Sequence, residues 1–182
     1  MDWTLLQHVS RSMYLSLRVL PEPVRPGMGL GYLLCRAADT IADTRVVPNA
    51  ERRQVLEEFR AAFDGQWVPA LSPTAALAEH QASDAERELL GRLGECLGLW
   101  AARPEAERIL LKEVVHSVID GMRLDLLKEE ALGLGPGGPQ GQALAQPSQK
   151  LALGVAGLVL GQGGRRREGG HPLAVEGGAE LF

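Results

Sequence analysis

The sequence predicts an all-α fold, on three observations. The apolar content is 45% but aromatic residues make up only 4%, so the core is built mainly from Leu, Val and Ala. Leu and Ala rank high in helix propensity. Prolines fall at intervals that suit helix starts and stops, and no strand-like alternation of any length appears. At 182 residues the chain suits one domain or most of one.

The first helix is expected from Trp3 to Leu20, ended by Pro21-Glu22-Pro23. The second is expected from Val24 to Thr44, with Pro26 tolerated in the first turn because no helical hydrogen bond is lost there. A third starts at Pro48-Asn49 and runs through Phe63, with Asn49 as its N-cap. Residues 65–82 read as a loop, with Pro69 and Pro73, that leaves room for a short helix from Pro73 to Gln81. Ser83 and Glu86 have the spacing of a capping box, opening a fourth helix to Ala102. Pro104 opens a fifth, to Ala131. Residues 1–132 therefore read as one helical domain.

Beyond Leu132 the composition changes. Residues 133–182 hold 14 of the chain's 22 glycines, and Gly-Pro-Gly-Gly-Pro at 135–139 breaks any helix. This stretch is expected to be an irregular Gly- and Pro-rich tail. The Arg165-Arg166-Arg167 run reads as a solvated loop.

A net charge of −4 argues against a general nucleic-acid binder, which would carry a basic face. Cys35 and Cys96 have no metal-type spacing and read as buried or free thiols of a reducing compartment. The first residues have no basic region ahead of a long apolar run, so no secretory signal is expected and the location is read as cytoplasmic. The longest late apolar stretch, Leu151 to Gly161, is about half the roughly 20 residues a spanning helix needs.

The second helix carries the chemistry. At about 100° per residue, Tyr32, Arg36 and Asp43 all fall within about 60° of Asp39. Leu30, Leu33, Ala37 and Ile41 fall on the far side. Two carboxylates at i and i+4 stand about 6 Å apart at Cβ and can hold a hard divalent cation through oxygen ligands. Arg36, one turn earlier, can pair in bidentate fashion with diphosphate oxygens. A lone D-x-x-x-D is more often a solvated face; the flanking residues change that balance.

His8-Val9-Ser10-Arg11-Ser12-Met13-Tyr14, Leu20-Pro21, and Tyr32-Leu33-Leu34-Cys35-Arg36-Ala37-Ala38-Asp39-Thr40-Ile41-Ala42-Asp43-Thr44 together resemble the squalene/phytoene synthase family. Val118 to Leu126 resembles that family's middle helix. The resemblance covers about residues 1–130, the first half of a usual member. It implies an isoprenoid-synthase-type helical bundle around a deep apolar cavity. It also implies Mg²⁺-dependent head-to-head joining of two farnesyl diphosphates, or of two geranylgeranyl diphosphates in a phytoene-type member. NADPH enters only for a squalene-type product, and a hydrocarbon product implies peripheral membrane contact. By position, Asp39 and Asp43 would bind metal. Ser10, Arg11, Tyr32 and Arg36 would contact or orient diphosphate, with Tyr32 and Arg36 closest to the chemistry. Ala42 stands where some members carry an extra acid.

On the fifth helix, Asp125 falls in an apolar stripe with Val114, Val118 and Met122. A buried carboxylate is costly unless partnered, so this face is expected to line a wet cavity and Asp125 to meet substrate. His116 and Asp120 read as a solvated pair.

Active members carry a second aspartate-rich helix, and this chain has no aspartate after Asp125. The tail from about Ala131 is expected to be a degenerate end or a translation in another frame. The competing function is therefore a catalytically incomplete helical module that keeps only the first diphosphate-binding wall.

Overall fold

The computed structural model describes residues 3–10, 12–65, 73–81 and 83–133. The expectations for Arg11 and for the tail after Gly133 fall outside these residues. The described residues form helices and no strand, as the composition predicts. The helices are α1 (Trp3–Val9), α2 (Met13–Arg18), α3 (Arg25–Asp43), α4 (Asn49–Ala62), α5 (Pro73–Glu79), α6 (Asp84–Gly91), α7 (Leu93–Ala101) and α8 (Glu105–Ala131).

Two expected helices are each split. The first breaks around Ser10 and Ser12 into α1 and α2, and the break lets Leu5 and Leu6 on one segment and Leu17 on the next reach the core. The fourth breaks at Arg92, which adopts φ −104° and ψ 13°. Gly91 and Gly94 flank the break and weaken the helix there. The bend lets Leu89 and Leu90 on one segment and Leu93, Cys96 and Leu97 on the next all reach the core.

α3 is the central element, packed against α8, α4, α7, α6, α2 and α1. Its residues from Met28 to Ile41 are buried except Arg36, so its surroundings are more enclosed than the one apolar face the sequence suggests. Gly31 lets α8 come close: a Cβ there would lie 2.9 Å from Leu111 Cδ2. α8 answers with Leu111, Val115, Ile119 and Leu126, which recur at helical spacing on its core face. Val114, Val118 and Met122 pack at the flank of that face, so the stripe read from the sequence is its edge. A left-handed Gly133 (φ 66°) ends the helix.

The loop ends are tied by buried polar contacts. Thr44 Oγ1 donates to the Thr40 carbonyl at 2.7 Å, and Gln81 Nε2 donates to Thr44 Oγ1 at 2.7 Å. This joins the end of α5 to the end of α3. Asn49 is not the N-cap of α4 but its first helical residue, following Pro48. Its amide is used across the bundle instead, with Nδ2 donating to the Leu126 carbonyl at 3.2 Å. His116 is half-buried, with its Nε2 enclosed, and makes no ion pair to Asp120. Its ring meets Phe63 edge-on at 5.6 Å, and Phe63 also stacks edge-on with Trp100 at 4.9 Å. Asp120 pairs instead with Arg60 at 3.3 Å. No helix of the described residues is long and apolar enough to cross a membrane.

Candidate functional site

The site forms at the C-terminal end of α3, where α6 and α4 close on it. Helical periodicity brings Tyr32, Arg36, Asp39 and Asp43 to one face, and packing gives them different surroundings. Tyr32 is buried. Asp39 is 1% exposed, while Asp43, the last residue of the helix, opens to solvent. Arg36 lies between, with its side chain 21% exposed.

Arg36 is held by two carboxylates. Its Nη1 donates to Asp39 Oδ2 one turn along α3. Its Nη2 donates to Glu86 Oε1 at 2.6 Å, across to α6. Its Nε is buried without a partner among the described residues. Glu86 is thus a site residue that sequence reading missed. The one available signal, the Ser83–Glu86 spacing, suggested a capping box, but the Ser83 side chain makes no capping hydrogen bond and Glu86 reaches Arg36.

Arg52 of α4 is the second residue missed. It is 3% exposed, and it donates from one terminal nitrogen to the Ala42 carbonyl and from the other to Asn49 Oδ1. It thereby closes the last turn of α3, as a cation does favourably at a helix C-terminus. No sequence pattern announces it, because an arginine in the first turn of a polar helix ordinarily points to water.

The electrostatics call for positive charge. Burial, then the nearby Asp43 carboxylate, push the Asp39 carboxyl up to about 6, against the opposing pull of Arg36. Protein mass on the inner side of Asp43 raises its carboxyl as well, while Arg36, Arg45 and Arg52 pull it down. Both acids also sit at the negative end of the α3 dipole. These groups fit a divalent cation: a buried acid with a raised pKa and a like-charged neighbour is relieved by a cation bound between them. Among the described residues, however, no three acidic, imidazole or thiol side chains converge to hold a metal by themselves. A cation here would draw its remaining ligands from water and substrate oxygens, the usual habit of Mg²⁺.

The other expected residues fall as follows. Ser10 is 3% exposed and its Oγ has no partner among the described residues. Asp125 is not buried in an apolar stripe: its side chain is 50% exposed and meets Lys128 at 3.5 Å. The reason is register, since Leu126, its neighbour, takes the core position. Two surface grooves lie away from Asp39 and Asp43. One runs between α4 and α8, lined by Arg53, Glu57, Asp120 and Leu124, and the other is bounded by Trp3, Tyr14, Arg18 and Arg25.

Residues 6–134 match the family model of squalene/phytoene synthase. Over 131 residues, 72% of the chain, the sequence is 25% identical to a bifunctional lycopene cyclase/phytoene synthase of Blakeslea trispora. That match spans 21% of the fungal protein's length. No solved structure matches the chain.

Proposed function

This chain belongs to the squalene/phytoene synthase family, and on that footing we propose that it supplies the first diphosphate-binding wall for a Mg²⁺-dependent head-to-head condensation of two prenyl diphosphates. The observation that carries this reading is the end of α3. A guanidinium and two carboxylates share one face there, and the buried carboxyl is pushed up to about 6 by its surroundings.

Each residue has a distinct task in this reading. Asp39 and Asp43 hold Mg²⁺ through carboxylate oxygens. When bound, Mg²⁺ acts as a Lewis acid that stabilises the departing diphosphate. Arg36 pairs with diphosphate oxygens, for which its planar fork is suited. Tyr32, one turn before Arg36 and buried, fixes the side of α3 against which the substrate lies. The unpartnered Ser10 hydroxyl gains a diphosphate oxygen as acceptor. Arg11 joins it by family resemblance. Asp125 is left outside this wall, because Lys128 and solvent already satisfy its carboxylate. NADPH is required only if the product is of the squalene type.

The test is incubation of the 182-residue chain with Mg²⁺ and labelled farnesyl or geranylgeranyl diphosphate. Release of diphosphate with a coupled product from either donor supports catalysis by this chain and identifies the donor. Mg²⁺-dependent binding without release supports the second reading, a wall that binds but does not turn over. The lack of any aspartate beyond Asp125 favours that outcome. Absence of Mg²⁺-dependent binding overturns both.

A further inference from the structure

We propose that Glu86 is a latch on Arg36, a positioning residue that holds the guanidinium until diphosphate displaces it. The inference rests on the reading of α3 as a diphosphate-binding wall. Both terminal nitrogens of Arg36, the pair that would grip diphosphate oxygens, are already engaged, one by Asp39 and one by Glu86. A ligand that takes the fork of both terminal nitrogens competes with these two carboxylates, and the weaker pair is the one to open.

The two pairs are unequal. Asp39 lies three residues along the same helix and is 1% exposed, so its contact is maintained by the helix and by burial. Glu86 comes from another helix and its side chain is 24% exposed, so water can take over its carboxylate at lower cost. Glu86 also has somewhere to go. It lies in the first turn of α6, where the helix dipole favours a carboxylate. Its spacing from Ser83 is that of a capping box, whose side-chain capping bond is not made here. The same acid can therefore serve Arg36 in the resting site and the start of its own helix once Arg36 has turned to the ligand. Glu86 also adds negative charge beside Asp39 and Asp43, so the resting site disfavours an anion that arrives without a cation.

Titration calorimetry of the full chain with inorganic pyrophosphate at fixed Mg²⁺ tests this. Glu86→Gln is expected to tighten pyrophosphate binding by about three- to tenfold, the scale of one partly exposed charge-assisted contact released. That gain disappears when Glu86→Gln is made in an Arg36→Gln background. Glu86→Asp keeps the charge but shortens the reach, and is expected to tighten binding by about twofold. This variant keeps the test available if Glu86→Gln does not fold, with thermal melts confirming the fold of each. Unchanged or weaker binding in Glu86→Gln overturns the latch while wild-type binding leaves the α3 wall standing. An equal gain with and without Arg36 also overturns it, since bulk charge would then be the cause. A wild-type chain that binds no Mg²⁺–pyrophosphate overturns the wall and the latch together.

Discussion

At the residue scale, Asp39 carries the strongest consequence. Its carboxyl is raised from an ordinary 3.8 to about 6, so between these values the folded state keeps a proton that the unfolded chain has released. Stability without metal therefore falls as pH rises through that window and is lowest above it. Asp39→Asn removes the ionisable group and is expected to raise stability at pH 7 in EDTA by up to about 3 kcal/mol, at about 1.4 kcal/mol per pKa unit. The gain should shrink towards zero at pH 4. Urea denaturation at the two pH values measures it, and an equal gain at both would contradict the burial-driven shift. The same substitution is expected to remove Mg²⁺-dependent pyrophosphate binding. A stable protein that has lost its ligand is the signature of an acid kept for binding at the expense of the fold.

At the scale of elements, two substitutions probe how the helices begin and how they meet. Ser83→Ala is expected to lower stability by less than about 0.5 kcal/mol, whereas loss of a working N-cap typically costs about 1. The reason is that Ser83 makes no side-chain capping bond in the resting molecule. A loss of 1 kcal/mol or more in chemical denaturation would show that the capping box is closed in solution. Gly31 reports on the α3–α8 contact. A leucine there would drive side-chain atoms into Leu111, which already lies 2.9 Å from the position of a Cβ. Overpacking of this kind costs about 1–3 kcal/mol. Leu111→Ala in the same chain should recover part of that loss, and a double-mutant cycle measures the coupling. Additive losses would place the two residues out of contact.

The helix starts and stops were legible where local chemistry sets them. Pro48 and Pro104 stand at the N-caps of α4 and α8, and Gly133 ends α8. The two breaks, at Ser10–Ser12 and at Arg92, were not legible. Apolar residues continue in helical register through both, and a bend becomes favourable only because the core lies to one side. The expected cap at Asn49 and the expected burial of Asp125 failed for the same kind of reason. In each, a residue one position away, Pro48 or Leu126, took the role when the helix settled against α3.

At the scale of the whole molecule, the described helices enclose one core, and both cysteines lie within it, neither in a disulfide. Burial pushes the Cys35 thiol up to about 12, so almost no thiolate exists at neutral pH. Both thiols are expected to react with a thiol reagent only as fast as the core opens, and to react at once in denaturant. Rapid labelling of either thiol in the native protein would show a core less closed than the packing implies.

The face that joins Tyr32, Arg36, Asp39 and Asp43 was determined by the sequence alone, because a helix places residues four apart on one side whatever surrounds it. The all-α class follows likewise from composition and local propensity. Only the tertiary structure decided which of those groups would be buried, and which partners would come from elsewhere in the chain. Arg36 meets Glu86 across 50 positions, and Arg52 closes the end of α3 from the next helix. Such pairings are set by how helices pack across the core, and the side chains that make them carry no periodic signal of their own.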